Sequence, residues 1–179
     1  PMVESRHRVR YAVVDTAGKL VRRGGDAEAP VYPRSAVKPI QALAMVEAGA
    51  ADAFELGAAE IALACGSHSG EPRHTAIVLD WLERIACGES DLACGTHPPL
   101  DGETALALAA AARAPGAVHN NCSGKHAGFL SLARHIGAPV RGYIGLEHPV
   151  QQRVLGILEQ MYGLDLSGAE RGIDGCGIP

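Results

Sequence analysis

Residues 119–128 read HNNCSGKHAG and connect a polar loop to a helix predicted over residues 125–136. Every residue from His119 to His126 is polar, a glycine or a thiol, which is more than the capping of one helix requires. Cys122 and Lys125 are three residues apart near the helix start, where a thiolate is stabilised and a charged lysine is not. The stretch is therefore a candidate for reactive or metal-binding chemistry.

The rest of the chain is predicted to form a hairpin followed by helices. Residues 9–15 and 19–23 flank a Thr-Ala-Gly turn, the pattern of a β-hairpin. Apolar residues at helical spacing predict helices over 35–48, 71–86, 101–114, 125–136 and 148–163. Residues 61–65 fit either a strand or the end of a buried helix. We expect a mixed α/β (α+β) chain: a hairpin at about 8–24, a mainly helical region at about 35–163 and a turn at 173–179.

The composition is that of an ordinary globular protein, with 47% hydrophobic and 20% charged residues. A net charge of -4 argues against a nucleic-acid partner, since phosphate binding requires a basic face. No apolar stretch is long enough to span a bilayer, and the first residues do not resemble a signal peptide. The odd number of cysteines, five, suits a reducing compartment. We expect a cytoplasmic protein without nucleic-acid or membrane partners.

A first candidate site is the segment RSAVKP at residues 34–39. The three-residue spacing puts Ser35 and Lys38 on one helical face. Serine needs a base to act as a nucleophile, and a helix start favours the neutral amine that such a base requires. Pro39 lacks an N–H group, so we expect an irregular or delayed first turn. The alternative is a Ser35 helix cap followed by an exposed lysine.

A second candidate is the segment CGSHSGE at residues 65–71. Gly66 and Gly70 permit unusual backbone angles and close approach of a substrate, beside two serines and a histidine. The alternative interpretation is an ordinary capping segment, in which Ser69 caps the helix predicted to begin at Glu71.

A third candidate is a metal site that would combine Cys122, Lys125 and Cys176. Two thiolates and one neutral amine could hold a soft divalent ion, of which zinc fits best, with a position left open for water or substrate. Lysine is an unusual metal ligand. The alternative is a buried thiol at Cys122 beside a solvent-facing lysine.

Taken together, five segments resemble, in order along the chain, the asparaginase II family of rhizobial-type L-asparaginases. These segments are 34–41, 65–71, 119–128, 148–151 and 174–177. The resemblance implies a serine β-lactamase-like fold and an amidohydrolase that converts L-asparagine to L-aspartate and ammonia.

The resemblance also implies roles for individual residues. Ser35 corresponds to the nucleophile, Lys38 to its base, and Ser67 to the serine of a second Ser-Lys pair. The predicted zinc ligands Cys122, Lys125 and Cys176 would assist substrate binding more than the chemistry itself. Neighbouring residues of the same motifs are expected to bind the substrate: Arg34, His68, Ser69, Asn121 and Gly124.

The lysine that the family pairs with the second serine falls beyond Pro179, as do the C-terminal strands of the implied fold. We therefore expect residues 1–179 to form a single incomplete domain, either complemented by a C-terminal half or assembled as a homodimer. Two other functions stay open from the residues alone. One is hydrolysis of another amide, such as glutamine or a peptidoglycan-type or β-lactam amide, and the other is a non-catalytic zinc-bearing binding domain.

Overall fold

A computed structural model describes residues 2–179, which fall into two compact units at residues 2–32 and 33–179. The first unit contains an antiparallel hairpin of strands β1 (Tyr11–Val14) and β2 (Leu20–Gly24). The Asp15 side chain accepts hydrogen bonds from the backbone N–H groups of Ala17 and Lys19, which closes the turn. The predicted hairpin is therefore confirmed.

The second unit is helical. Its α-helices are α1 (Lys38–Glu47), α2 (Ala50–Ala53), α3 (Ala58–Cys65), α4 (Pro72–Arg84), α5 (Gly102–Ala110), α6 (Ser123–His135) and α7 (Pro149–Tyr162). Short 3-10 helices occupy Arg34–Val37, Glu89–Asp91 and Ala117–His119. The chain is thus of mixed α/β class and mainly helical, with a two-stranded hairpin near its N-terminus.

Helix α6 lies at the centre of the core. All of its residues from Ser123 to Ala133 are buried, and it packs against α1, α3, α4 and α7. Trp81 of α4 is fully buried and donates a 2.8 Å hydrogen bond from Nε1 to Ser131 Oγ of α6. Gly124 allows a close approach of α6 to α3, because a Cβ atom there would lie 2.5 Å from the Leu63 carbonyl oxygen of α3. The start of α6 is thereby held against the end of α3.

Several predicted boundaries change in the structure. The 3-10 helix over residues 34–37 precedes α1, so the regular helix begins later than Ser35, as the position of Pro39 predicts. Residues 61–65 are the end of a helix. Helical spacing predicts one apolar face of α7 formed by Val150, Val154, Leu155, Leu158 and Met161. This face is partly wrong, because Met161 is 57% exposed whereas Ile157 is buried. The reason is that the contact of α7 with α1 follows Val150, Val154 and Ile157. None of the helices within residues 2–179 is long and apolar enough to cross a membrane.

Candidate active site

Lys38 is the first residue of α1, and its side chain is buried with only 2% of the residue exposed. Its Nζ atom donates hydrogen bonds to the Gly66 carbonyl oxygen at 2.8 Å and to Ser67 Oγ at 2.7 Å. The same amine also makes a side-chain contact with the Cys122 sulfur. The lysine therefore joins all three segments in which the sequence predicts chemistry.

Ser35 and Ser67 lie side by side at the surface, with 3.5 Å between their Oγ atoms. Within residues 2–179, the hydrogen bonds that connect Ser35 to Lys38 pass through Ser67. The two serines and the amine therefore form a chain in the order Ser35, Ser67, Lys38. In the structure Lys38 donates to Ser67 and Ser67 donates to Ser35. Rotation of the two hydroxyl groups would reverse both bonds and let the chain carry a proton from Ser35 to the buried amine.

The backbone around the serines is unusual at two positions. Arg34 has φ of +50°, a region that residues other than glycine rarely adopt, and its side chain is exposed directly before Ser35. Gly70 has φ of +81°, and a Cβ atom there would lie 2.9 Å from the His119 carbonyl oxygen. The segments that contain Ser67 and His119 therefore approach each other as closely as a glycine permits.

Side-chain hydrogen bonds hold the segment after Ser67 in place. His68 is buried, with its Nε2 atom 2.7 Å from Ser123 Oγ. Ser69 Oγ donates a 2.6 Å hydrogen bond to the Glu71 carboxylate. The alternative in which Ser69 caps α4 is wrong, because Glu71 is the residue that precedes the helix and it makes no side-chain cap.

Cys122 and Cys176 meet at the start of α6, where Cys122 directly precedes the first helical residue. A hydrogen bond from the Cys176 thiol lowers the pKa of Cys122 to about 6, against the effect of burial and with the help of the Lys125 and Lys38 charges. The same hydrogen bond raises the pKa of Cys176. The pair thus behaves as one thiolate and one thiol, and the helix start favours the thiolate.

Lys125 points into the same region and is buried, with 2% of its side chain exposed. Its Nζ atom donates a 2.9 Å hydrogen bond to Asp174 Oδ2. Burial disfavours the charged carboxylate, but hydrogen bonds from the Ile178 N–H group and from Lys125 outweigh it and keep the pKa of Asp174 below its usual value. The alternative of a solvent-facing lysine is therefore wrong for Lys125.

Two thiols and a buried amine are a donor set that fits zinc. Cys122 already has thiolate character, which metal binding requires. The Lys125 amine would have to release a proton, either to the Asp174 carboxylate that it contacts or to solvent, before it could bind a metal ion. Within residues 2–179, no group of three or more histidine, cysteine or carboxylate side chains is placed to hold a metal ion. The Cys122, Lys125 and Cys176 set depends on a lysine and is not a group of that kind.

Asn120 is a residue of this site that the sequence analysis did not select. Its Nδ2 atom donates to the carbonyl oxygens of Cys94 and Gly95 at 2.8 and 3.2 Å. Its Oδ1 atom accepts from the Cys122 N–H group at 2.9 Å and lies 3.8 Å from the Cys176 sulfur. Asn120 therefore holds both cysteines in place, and no local sequence signal separates it from Asn121.

A cavity of about 710 Å³ lies apart from these groups, beside α4 and α5. It is lined by the carboxylates of Glu71, Glu89, Asp101 and Glu103, with Arg113 and His119 as the basic residues. None of the serines, lysines or cysteines described above lines it. The excess of negative charge disfavours an anionic or zwitterionic amino acid there, so the candidate site is the cluster around Lys38.

Comparison of the whole chain with protein-family models gives a match over residues 1–179 to the model described as L-asparaginase II. The chain belongs to the L-asparaginase II family. Comparison with curated individual proteins gives no match. The resemblance stated from the sequence motifs is therefore confirmed, and it extends over the entire chain.

Membership of the L-asparaginase II family indicates an amidohydrolase-type enzyme that acts on a small molecule. The structure brings together most of the residues that the sequence analysis predicted for this chemistry. The clustered residues are Ser35, Lys38, Ser67, Cys122, Lys125 and Cys176. Two predicted substrate contacts have structural roles in addition, since Gly124 packs on α3 and Asn121 is bonded to His97 through its backbone N–H at 3.2 Å.

Proposed function

We propose that this L-asparaginase II family protein hydrolyses L-asparagine to L-aspartate and ammonia through an acyl-enzyme formed on Ser35. The observation that carries the proposal is the chain of Ser35, Ser67 and the buried Lys38 amine, at 3.5 and 2.7 Å. An exposed nucleophile connected to a buried base is what acyl transfer from an amide requires. The family supplies the substrate, since its description is L-asparaginase.

The proposed reaction uses Lys38 in its unprotonated form. Ser35 Oγ attacks the side-chain amide carbon while its proton passes through Ser67 to the Lys38 amine. The C–N bond then breaks, and the leaving group takes the proton from Lys38 and departs as ammonia. Water attacks the resulting ester by the same route, with Lys38 as base. This second step releases L-aspartate and restores the Ser35 hydroxyl.

Arg34 is proposed to bind the α-carboxylate of the substrate. Its guanidinium group is exposed and directly precedes Ser35 in the chain, and guanidinium–carboxylate pairs form paired charge-assisted hydrogen bonds. The other predicted substrate contacts, Ser69 and Asn121, lie in the two segments that border Lys38. They remain proposals of the same kind.

Zinc is proposed as the metal that Cys122, Cys176 and Lys125 would hold. When bound, it would supply positive charge that favours an oxygen or carboxylate of the substrate. The protein residues act independently of this role: Asn120 orients both cysteines, and Asp174 orders the turn by accepting hydrogen bonds from the N–H groups of Cys176 and Ile178 at 2.8 and 3.0 Å. A serine β-lactamase-like fold and a homodimer are further proposals that rest on the family resemblance. A cytoplasmic location is proposed from the five cysteines, which suit a reducing compartment.

The proposal is tested by measuring ammonia release from L-asparagine and, in parallel, from L-glutamine. Ser35→Ala should reduce the rate by at least about 10³-fold, because it removes the atom that is acylated. Ser90→Ala, which changes an exposed serine of the 3-10 helix Glu89–Asp91, is the matched control and should leave the rate unchanged. Retention of activity by Ser35→Ala with bound zinc would exclude Ser35 as the nucleophile.

A further inference from the structure

We propose that His68 and Ser123 form a positioning clamp, which sets the separation between the Ser67 segment and the start of α6 across the Lys38 amine. The proposal rests on the proposed amidohydrolase function and deepens it. His68 and Ser123 are each the next residue in the chain after a group at the site, Ser67 and Cys122. A change in the clamp therefore displaces those groups without removing either of them.

The hydrogen bonds of the clamp define the protonation of His68. Ser123 Oγ donates its only proton to the Val118 carbonyl oxygen at 3.0 Å, so at 2.7 Å from His68 Nε2 it accepts. His68 Nε2 consequently carries a hydrogen. The other ring nitrogen, Nδ1, accepts from the Gly70 N–H group at 3.1 Å. Both bonds require the same neutral tautomer, which makes the arrangement self-consistent.

A backbone bond reinforces the clamp. The His68 N–H group donates to the Asn121 carbonyl oxygen at 3.2 Å. His68 is 6% exposed and Ser123 is fully buried, so neither bond competes with bulk water. Two bonds from one residue therefore join the segment at 66–70 to the segment at 118–123.

The Lys38 amine lies in the space that these two segments enclose. It bonds Ser67 Oγ and the Gly66 carbonyl oxygen on one side and contacts Cys122 on the other. Removal of the clamp bond would let the two sides separate, and the 2.7 Å bond between Lys38 and Ser67 would lengthen. Small displacements of this kind slow the chemical step strongly and weaken substrate binding less.

The surroundings keep His68 neutral. Burial is the main cause and, together with the nearby groups of His74, Lys38, His97 and His119, lowers the pKa of His68 to about 4. The His74 ring is 5.3 Å from the His68 ring, centre to centre. Protonation would place a hydrogen on Nδ1 and break its hydrogen bond with the Gly70 N–H group, so this arrangement of His68 should change only in acid.

The test compares kcat and KM for L-asparagine in three variants, each assayed well below its melting temperature. Ser123→Ala and His68→Asn, which cannot make the clamp bond, should lower kcat by about 10–100-fold and leave KM within about twofold. His68→Gln, whose amide N–H can still reach Ser123, should retain kcat within about threefold. Ser131→Ala is the control, since it removes another buried, hydrogen-bonded hydroxyl of α6 and should leave kcat unchanged.

A rise in KM at constant kcat would overturn the clamp in favour of direct substrate contact by His68. Unchanged kinetics in Ser123→Ala would overturn it as well. If these variants fail to fold, nitrogen NMR of the unaltered protein decides: the clamp requires a neutral Nε2–H tautomer that persists from about pH 8 to pH 5, and an Nδ1–H tautomer or titration near the ordinary histidine value of about 6.5 overturns it. Absence of ammonia release by the unaltered protein would count against the proposed function, not against this tautomer.

Discussion

Arg34 combines a strained backbone with a position next to the proposed nucleophile. A residue other than glycine with φ of +50° costs about 1–2 kcal/mol. Such a conformation persists where the surrounding structure requires it, and it is more frequent at functional sites than elsewhere. The exposed guanidinium group of Arg34 is therefore the group we expect to recognise the α-carboxylate of the substrate.

Arg34→Ala should raise KM for L-asparagine by about 10–100-fold, the value of one charge-assisted hydrogen-bond pair, with a smaller effect on kcat. Steady-state ammonia release measures both constants. Arg153→Ala, which changes an exposed arginine of α7, is the matched control and should leave KM unchanged. An unaltered KM in Arg34→Ala would show that the carboxylate binds elsewhere.

The thiol pair makes a prediction that does not depend on activity. In metal-free protein, the ultraviolet absorbance of a thiolate should appear with a midpoint near pH 6, because Cys176 donates to Cys122 and lowers its pKa to about 6. Cys122→Ser should abolish this transition. Cys94→Ser should leave it in place, since burial raises the pKa of Cys94 to about 12. A first thiolate transition near the ordinary thiol value would contradict the pairing.

Lys38 illustrates what the sequence could predict at the residue scale and what it could not. The three-residue spacing predicts Ser35 and Lys38 on one helical face, but Ser35 lies in the preceding 3-10 helix and its hydrogen-bond connection to Lys38 runs through Ser67. The bond from Lys38 to Ser67 joins residues 29 positions apart. No local pattern contains such a distance, because it depends on how α1 packs against the end of α3.

At the scale of elements, helix boundaries followed local chemistry where a cap or a proline was present. Pro149 and Gly163 delimit α7 as predicted, with Gly163 at φ of +65°. Asp101 caps α5 by accepting from the Thr104 N–H group at 2.8 Å. The face that α7 buries was less predictable, since leucine and methionine occur around the helix and only the partner helix selects among them.

The contact between α3 and α6 can be tested with one methyl group. Gly124→Ala would place Cβ 2.5 Å from the Leu63 carbonyl oxygen, so the helices must move apart. We expect a loss of about 1–3 kcal/mol in the free energy of unfolding, measured by urea denaturation. Gly156→Ala in α7 is the matched control, because nothing lies within 4 Å of its Cβ position, and it should stabilise the protein by about 0.5–1 kcal/mol. Equal effects of the two changes would contradict the close approach.

At the scale of the whole molecule, stability should fall in mild acid because of buried histidine. Burial lowers the pKa of His68 to about 4, so the unfolded chain, at about 6.5, binds the proton first. The free energy of unfolding therefore decreases as the pH falls from the His68 pKa of the unfolded chain toward that of the folded protein. For this residue the loss is about 2 kcal/mol between pH 7 and about pH 5. Urea denaturation at the two pH values measures the change.

His68→Gln supplies the control for this pH dependence. Between the same two pH values, the free energy of unfolding of this variant should fall by about 2 kcal/mol less than that of the unaltered protein. This holds even if the variant is less stable at pH 7. His126, whose pKa burial lowers to about 3, adds a loss of the same sign that both proteins share. Identical slopes in the two proteins would contradict a neutral, buried His68.

The assembled site shows where prediction from sequence ends for the molecule as a whole. Motifs identified which segments carry the chemistry, and the structure joins them around α6. Asn120 and Asp174 were not selected, although each bonds residues of the site. The role of Asp174 depends on its hydrogen bond with Lys125, which lies 49 positions earlier in the chain. A contact between such distant residues produces no repeating pattern in the sequence.

The most direct test of the central claim is mass spectrometry of protein quenched in acid during turnover of L-asparagine. A protease that cleaves after glutamate separates the two serines, because Glu47, Glu55 and Glu60 lie between Ser35 and Ser67. We expect an added aspartyl group on the peptide that contains Ser35 and no such group in the Ser35→Ala variant. An aspartyl group on the peptide that contains Ser67 instead would contradict Ser35 as the acylated residue.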